Sequence, residues 1–208
     1  MTTAYLSTAY FAPVSYYMAL LAYDRIVIEQ WCNYTKQTYR NRCHIAGANG
    51  VLSLSVPVVK PDTLKCPTRD IRISDHGEWR HLHWNAIASA YGSSPFFEYY
   101  QDDIRPFFEK RYTFLFDFNE AIRRTICDLI GIDPQVEFID HYAQPAPGET
   151  DLREAIHPKH ELASTCPSIH LKPYYQVFAS KYGFLPDLSI LDLVMNMGPE
   201  SILILKDS

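Results

Sequence analysis

The chain has 208 residues, a net charge of −5 and an isoelectric point near 5.9, a balance that argues against a general nucleic-acid binder, which carries a basic footprint. The length fits one domain with a full hydrophobic core, and the 15 tyrosines supply amphipathic side chains suited to a polar pocket. Five cysteines, Cys32, Cys43, Cys66, Cys127 and Cys166, make no paired framework and read as reduced thiols of a cytoplasmic protein.

From Met1 to Tyr23 no side chain is charged. No basic region precedes this stretch, and Pro13, the tyrosines and the hydroxyls dilute it, so neither an export signal nor membrane insertion is expected. Ala4 to Ser7 reads as a strand, Pro13 opens a helix through Ala22, and Arg25 to Ile28 reads as a second strand. That order is a βαβ unit with parallel strands, whose ligands collect beyond the carboxyl ends, where Thr8 to Tyr10 and Gln30-Trp31 emerge.

The basic run that follows is the strongest binding signal. An extended backbone from Lys36 places Lys36, Thr38, Arg40 and Arg42 on one face, a receptor for phosphate or carboxylate. Gln37, Tyr39 and Asn41 take the opposite face, suited to a sugar or amide. The plainer alternative is a solvated loop whose cations pair with acidic neighbours.

His44 to Ala46 and Val51 to Val56 flank Gly47 to Gly50 as a hairpin with a four-residue loop. Asp70 to Ser74 reads as a strand, and Asp75 to Glu78 has capping-box spacing before a helix to Tyr91. A further helix carries Phe96, Tyr100, Ile104 and Phe107 on one face, and Asp117 to Glu120 repeats the capping-box spacing for a helix that Gly131 ends. Val136 to Ile139 reads as a strand. His141 to Pro173 reads as a loop or lid with one short helix at Asp151 to Ile156. Tyr174 to Tyr182 and Leu188 to Met197 read as helices, stopped by Gly183 and by Gly198-Pro199. The whole is a single α/β domain over residues 1–208: a parallel or mixed N-terminal sheet and a helical C-terminal part.

Candidate chemistry is sparse. His157, His160, Cys166 and His170 carry zinc-accepting groups, but their spacing matches no finger or knuckle, so no metal is expected. His83 lies on an apolar helix stripe with Trp79 and Ile87, as a core histidine or a general base. Asp192 shares a helix face with Asn196 in an apolar segment, so its carboxylate needs a partner, for which Lys36, Arg40 or Arg42 is suitable. There is no G-x-S-x-G elbow, P-loop or G-x-G-x-x-G. The sequence names no cofactor and no oligomeric state.

The string Lys36 to Arg42, then Asn49-Gly50 and Leu54-Ser55-Val56-Pro57, resembles the WbqC-like family of bacteria. Tyr10 to Pro13 with Tyr16-Tyr17, Trp79 to Ser94, and Tyr174 to Ser201 fit the same pattern, although Asp151 to His170 is short for it. The resemblance implies acyl or aminoacyl transfer to an activated amino sugar in surface polysaccharide synthesis. On that reading the ligand is a phosphorylated or nucleotide-linked sugar. Lys36, Arg40 and Arg42 hold its phosphates, Tyr10, Gln37 and Asn41 line the sugar, and His83 or Asp192 takes the amine proton. The alternative is a non-catalytic module that binds an anionic glycan intermediate or a partner enzyme of the same pathway.

Overall fold

In the computed structural model, which describes residues 1–61, 63 and 65–206, two short apolar strands meet in parallel at the centre of the molecule. These are β1 (Thr3–Ser7) and β2 (Arg25–Glu29), joined through α1 (Val14–Ala22), with Ala4 opposite Ile26 and Leu6 opposite Ile28. The period-2 alternation sorts their side chains. Ala4, Leu6, Ile26 and Ile28 enter the main core, while Tyr5 and Val27 meet Ala143 on the other face. Every residue of α1 from Val14 to Leu20 is buried, which accounts for its lack of a polar face.

The chain leaves β2 through a turn-rich segment into an antiparallel hairpin, β3 (Arg42–Gly47) and β4 (Gly50–Ser55). Gly47 pairs with Gly50, so the connection is the two residues Ala48 and Asn49, shorter than the expected four. Gly50 has φ of 103°, a conformation that a side chain would strain.

Four helices follow: α2 (Trp79–Tyr91), α3 (Phe97–Ile104), α4 (Pro106–Glu109) and α5 (Leu115–Ile130), the last ended by Gly131 in the left-handed region. Neither expected capping box forms. Asp75 instead bonds Arg80 and Arg111, and α5 begins at Leu115, ahead of its acidic cluster. Asp70 to Ser74 is not a strand: a 3₁₀ turn covers Thr68–Asp70, and Arg72 and Ile73 make only isolated bridges.

Two residues each then complete the sheet as β5 (Val136–Glu137) and β6 (Thr150–Asp151), in the order β5-β2-β1-β6, all parallel. The helix expected over Asp151 to Ile156 is therefore replaced by a strand and turns. The C-terminal part holds α6 (Leu162–Thr165), α7 (Ala179–Tyr182), α8 (Ile190–Met197) and α9 (Ser201–Lys206). The α7 helix starts five residues later than Tyr174, and α9 continues past the stop signal at Gly198-Pro199 through a 3₁₀ turn. Among the described residues no helix is long and apolar enough to cross a membrane.

Candidate functional site

The strand order steps outward from β1 through β2 to β5, then returns to the far side of β1 with β6. Order therefore reverses between β1 and β6, the position at which open α/β sheets form a ligand crevice beyond their carboxyl ends. Such a crevice is present, lined by Ser7, Thr8, Arg40, Arg153 and His157 with Tyr39. Its volume is about 10 Å³, room for one water.

Arg40 forms the floor, with its side chain 3% exposed. Nη2 donates to Ser7 Oγ at 2.8 Å, to Glu154 Oε1 at 2.8 Å and to Cys32 Sγ at 3.6 Å. Among the described residues its buried Nε has no partner, and neither has the buried hydroxyl of Thr8. Buried polar groups are nearly always paired, and an orphan costs about 1–3 kcal/mol. Two of the unpartnered buried polar atoms thus belong to residues of one strand-end crevice, and a water or a polar group of a ligand there would supply their missing bonds.

Arg153 plays a different part. Its Nε and Nη2 clamp Asp151 at 2.9 and 2.6 Å, and Nη1 reaches Ala143 O and Glu29 Oε2 at 3.0 and 3.2 Å. Glu29 is 0% exposed and also accepts the Trp31 and Ala143 amides. This guanidinium is committed to structure. At the crevice wall, His157 Nδ1 accepts the Lys159 amide, so the neutral ring carries its proton on Nε2. Burial, and then the neighbouring His160, hold its pKa below the ordinary histidine value.

Residues 8–157 match the model of the WbqC-like protein family. The chain belongs to that family. It is also similar to the uncharacterized protein Rv1507c of Mycobacterium tuberculosis (strain ATCC 25618 / H37Rv), 25% identical over 217 residues that cover 89% of each chain. No solved structure matches.

In this WbqC-like chain the basic run is not extended. Gln37 has φ of 61° and Lys36 and Gln37 lie on an exposed turn, so the alternation breaks before Arg40. Arg42 opens β3 and donates to Ser55 Oγ, away from the crevice. Asn41 gives its amide to Val56 O, and Asn119 holds the Arg40 carbonyl. Of the three cations, Arg40 alone enters the crevice; its pairing with Glu154 agrees with the plainer reading of the run, whereas its burial does not.

Tyr10 does not line the crevice; its amide donates to the carbonyl of the lining residue Tyr39 at 2.8 Å. Its hydroxyl turns into the core toward His83 Nδ1 at 2.9 Å. His83 is packed by Trp79, Phe108 and the Tyr10 ring, and burial pushes its pKa down to about 4. Asp192 is 1% exposed and accepts from Tyr174 Oη and Gln176 Nε2, both at 2.8 Å. Among the described residues none of Lys36, Arg40 and Arg42 pairs with it; burial raises its pKa, and Tyr174, Gln176 and Tyr91 oppose that shift by hydrogen bonding. Neither His83 nor Asp192 lines the crevice.

Among the described residues no group of three or more His, Cys, Asp or Glu side chains is placed to hold a metal. The His157 and His160 rings lie 4.6 Å apart between centroids, tilted by 30°, and all five cysteines are free. Ser7, Glu29, Arg153 and Glu154 carry no signal of their own in the sequence, and His157 stands out there only as one of four zinc-accepting groups, not as part of an anion site. The strand-end rule pointed to Thr8, but the partners from 151–157 depend on a two-residue strand with no pattern of its own.

Proposed function

We propose that the crevice between β1 and β6 binds the phosphate of a phosphorylated or nucleotide-linked amino sugar, and that the protein transfers an acyl or aminoacyl group to its amine in the cytoplasm, in surface polysaccharide synthesis. The observation that carries the binding half is the pair of unpartnered groups, Thr8 Oγ1 and Arg40 Nε, at the point where strand order reverses. An anion arriving there competes with Glu154 for Arg40, and His157 Nε2–H is a further donor on the wall. The displaced Glu154 carboxylate is then free to take the amine proton. The new N–C bond forms as the donor's leaving group departs with its bonding pair. Family membership supports the chemical half.

A second reading, a binding module without turnover, is favoured by the placement of His83 and Asp192 away from the crevice. Thr8→Val tests the binding claim shared by both. The substitution removes an orphan hydroxyl at constant shape, so the melting temperature should rise, by roughly 1 kcal/mol in stability. Calorimetric affinity for inorganic phosphate should fall, and Arg40→Met should abolish it. Unchanged phosphate binding in both variants overturns the site. Incubation with nucleotide-sugar and acyl-donor pools separates the two readings: saturable binding without product favours the module.

A further inference from the structure

Tyr39 forms part of the wall of a second, larger cavity, set off from the crevice where the chain passes from His157 to Pro158. Its volume is about 620 Å³, within the range of about 300–1,000 Å³ typical of small-molecule sites. The polar lining consists of Tyr39, His44, His160, Glu161, His170 and Asp187, with leucine and isoleucine side chains between them. Apart from Tyr39, His44 and Val51, the lining comes from beyond the family-matched span.

The two spaces differ in charge. The crevice offers the buried guanidinium of Arg40, whereas no lysine or arginine lines the cavity, which holds two carboxylates. Burial, and then Arg42, keep the pKa of His44 below its ordinary value, so it brings no positive charge at neutral pH. Asp187 is held at φ of 51°, a left-handed conformation costing a non-glycine residue about 1–3 kcal/mol and retained only where its surroundings enforce it. Its two oxygens accept the Ser15 amide at 2.9 Å and the Ser15 hydroxyl at 3.0 Å, which leaves each with a further lone pair.

We infer that this cavity seats the amine-bearing part of the ligand, so that the protein selects a sugar phosphate with a free ammonium group over its N-acylated form. The inference rests on the phosphate site proposed above. Asp187 and Glu161 supply the negative field, and the neutral imidazole of His44 and the Tyr39 hydroxyl supply hydrogen-bonding groups for hydroxyls. Acylation would remove the charge that the cavity reads and so weaken retention of the product.

Calorimetry on the full chain with glucosamine phosphate, N-acetylglucosamine phosphate and inorganic phosphate tests this at near-neutral pH. The free amine should bind about tenfold more tightly than the N-acetyl form, as one favourable charge contact allows. Asp187→Asn should bring the two sugars close to equal affinity while inorganic phosphate binds as in the wild type. Because Asp187 also holds the start of α1, Glu161→Lys on the exposed rim is the second variant, with the same expected loss of preference. Equal affinities in the wild type, or a preference that survives in both variants, overturn the inference while leaving the phosphate site standing. Absence of binding by inorganic phosphate and by both sugars brings down the phosphate site, and this inference with it.

Discussion

Arg40 and Glu154 form an unequal pair: the guanidinium is 3% exposed and the carboxylate 61%. A buried cation needs a counter-charge, but a carboxylate in water gains little from holding it, since exposed partners are screened. Glu154 is therefore the group an incoming anion displaces at least cost. Glu154→Gln keeps the shape and removes the competing charge, so calorimetric affinity for inorganic phosphate should rise several-fold, with tenfold equivalent to about 1.4 kcal/mol. If the same carboxylate takes the amine proton, product formation should fall as affinity rises. A drop in phosphate affinity would show instead that Glu154 orients Arg40. The sequence singled out Arg40 for its charge but gave it company that the fold disperses. Alternation assumes an extended backbone, and one left-handed residue, Gln37, is enough to send Arg42 to the hairpin and Lys36 to solvent.

The α2 helix and the exit of β1 are joined by the Tyr10–His83 hydrogen bond inside an aromatic shell. With its pKa at about 4, below the ordinary 6.5, the neutral imidazole is the form the fold favours. Its contribution to stability is complete above about pH 6.5 and is lost as the pH falls through about 4. Asp187 acts oppositely: with its pKa raised to about 6, mainly by burial, its contribution is full below the ordinary carboxylate value and is lost as the pH rises through 6. Comparison with one variant separates them. His83→Gln retains an acceptor for Tyr10, and melting temperature against pH should be flatter than in the wild type between about pH 4 and 6.5, where His83 accounts for up to about 3 kcal/mol. Parallel wild-type and variant curves would mean that His83 titrates normally. The α2 helix was legible because Trp79, Leu82, His83, Ala86, Ile87 and Ala90 recur with helical period, although Leu82 stays exposed and Ala86 is only partly buried. Its cap was not, because capping-box spacing states only that a bond is possible, and Arg80 and Arg111 compete for Asp75. The segment from Asp70 to Ser74 has strand composition but touches Val58 and Phe114 at single bridges, a tertiary arrangement no local pattern encodes.

Across the whole molecule the central sheet is narrow, and its outer strands β5 and β6 have only two residues each. Ladder hydrogen bonds alone hold such strands weakly. The molecule compensates with Arg153, which follows β6 and reaches across to Glu29 at the end of β2 while clamping Asp151 and the Ala143 carbonyl. One guanidinium thus ties β6, the loop over the second sheet face and β2 into a single edge, which is also the rim of the crevice. The βαβ start was legible from two β-branched or apolar runs around one helix, yet the reversal of order was not, because Thr150–Asp151 becomes a strand only through Ala4 and Tyr5. Arg153→Met removes the clamp and leaves Glu29 buried without its cation, a loss of about 3–5 kcal/mol for breaking a buried pair. Adding Glu29→Gln should recover part of that loss, since the double variant no longer strands a buried charge; a double-mutant cycle by denaturant unfolding measures the coupling. Hydrogen exchange on Arg153→Met should show 143–157 opening well before β1 and β2, with phosphate affinity reduced because His157 and Arg153 itself lose their places on the crevice wall. Uniform loss of protection across both regions would mean that β6 is integral to one cooperative core, and that the crevice is not bounded by a separately movable edge.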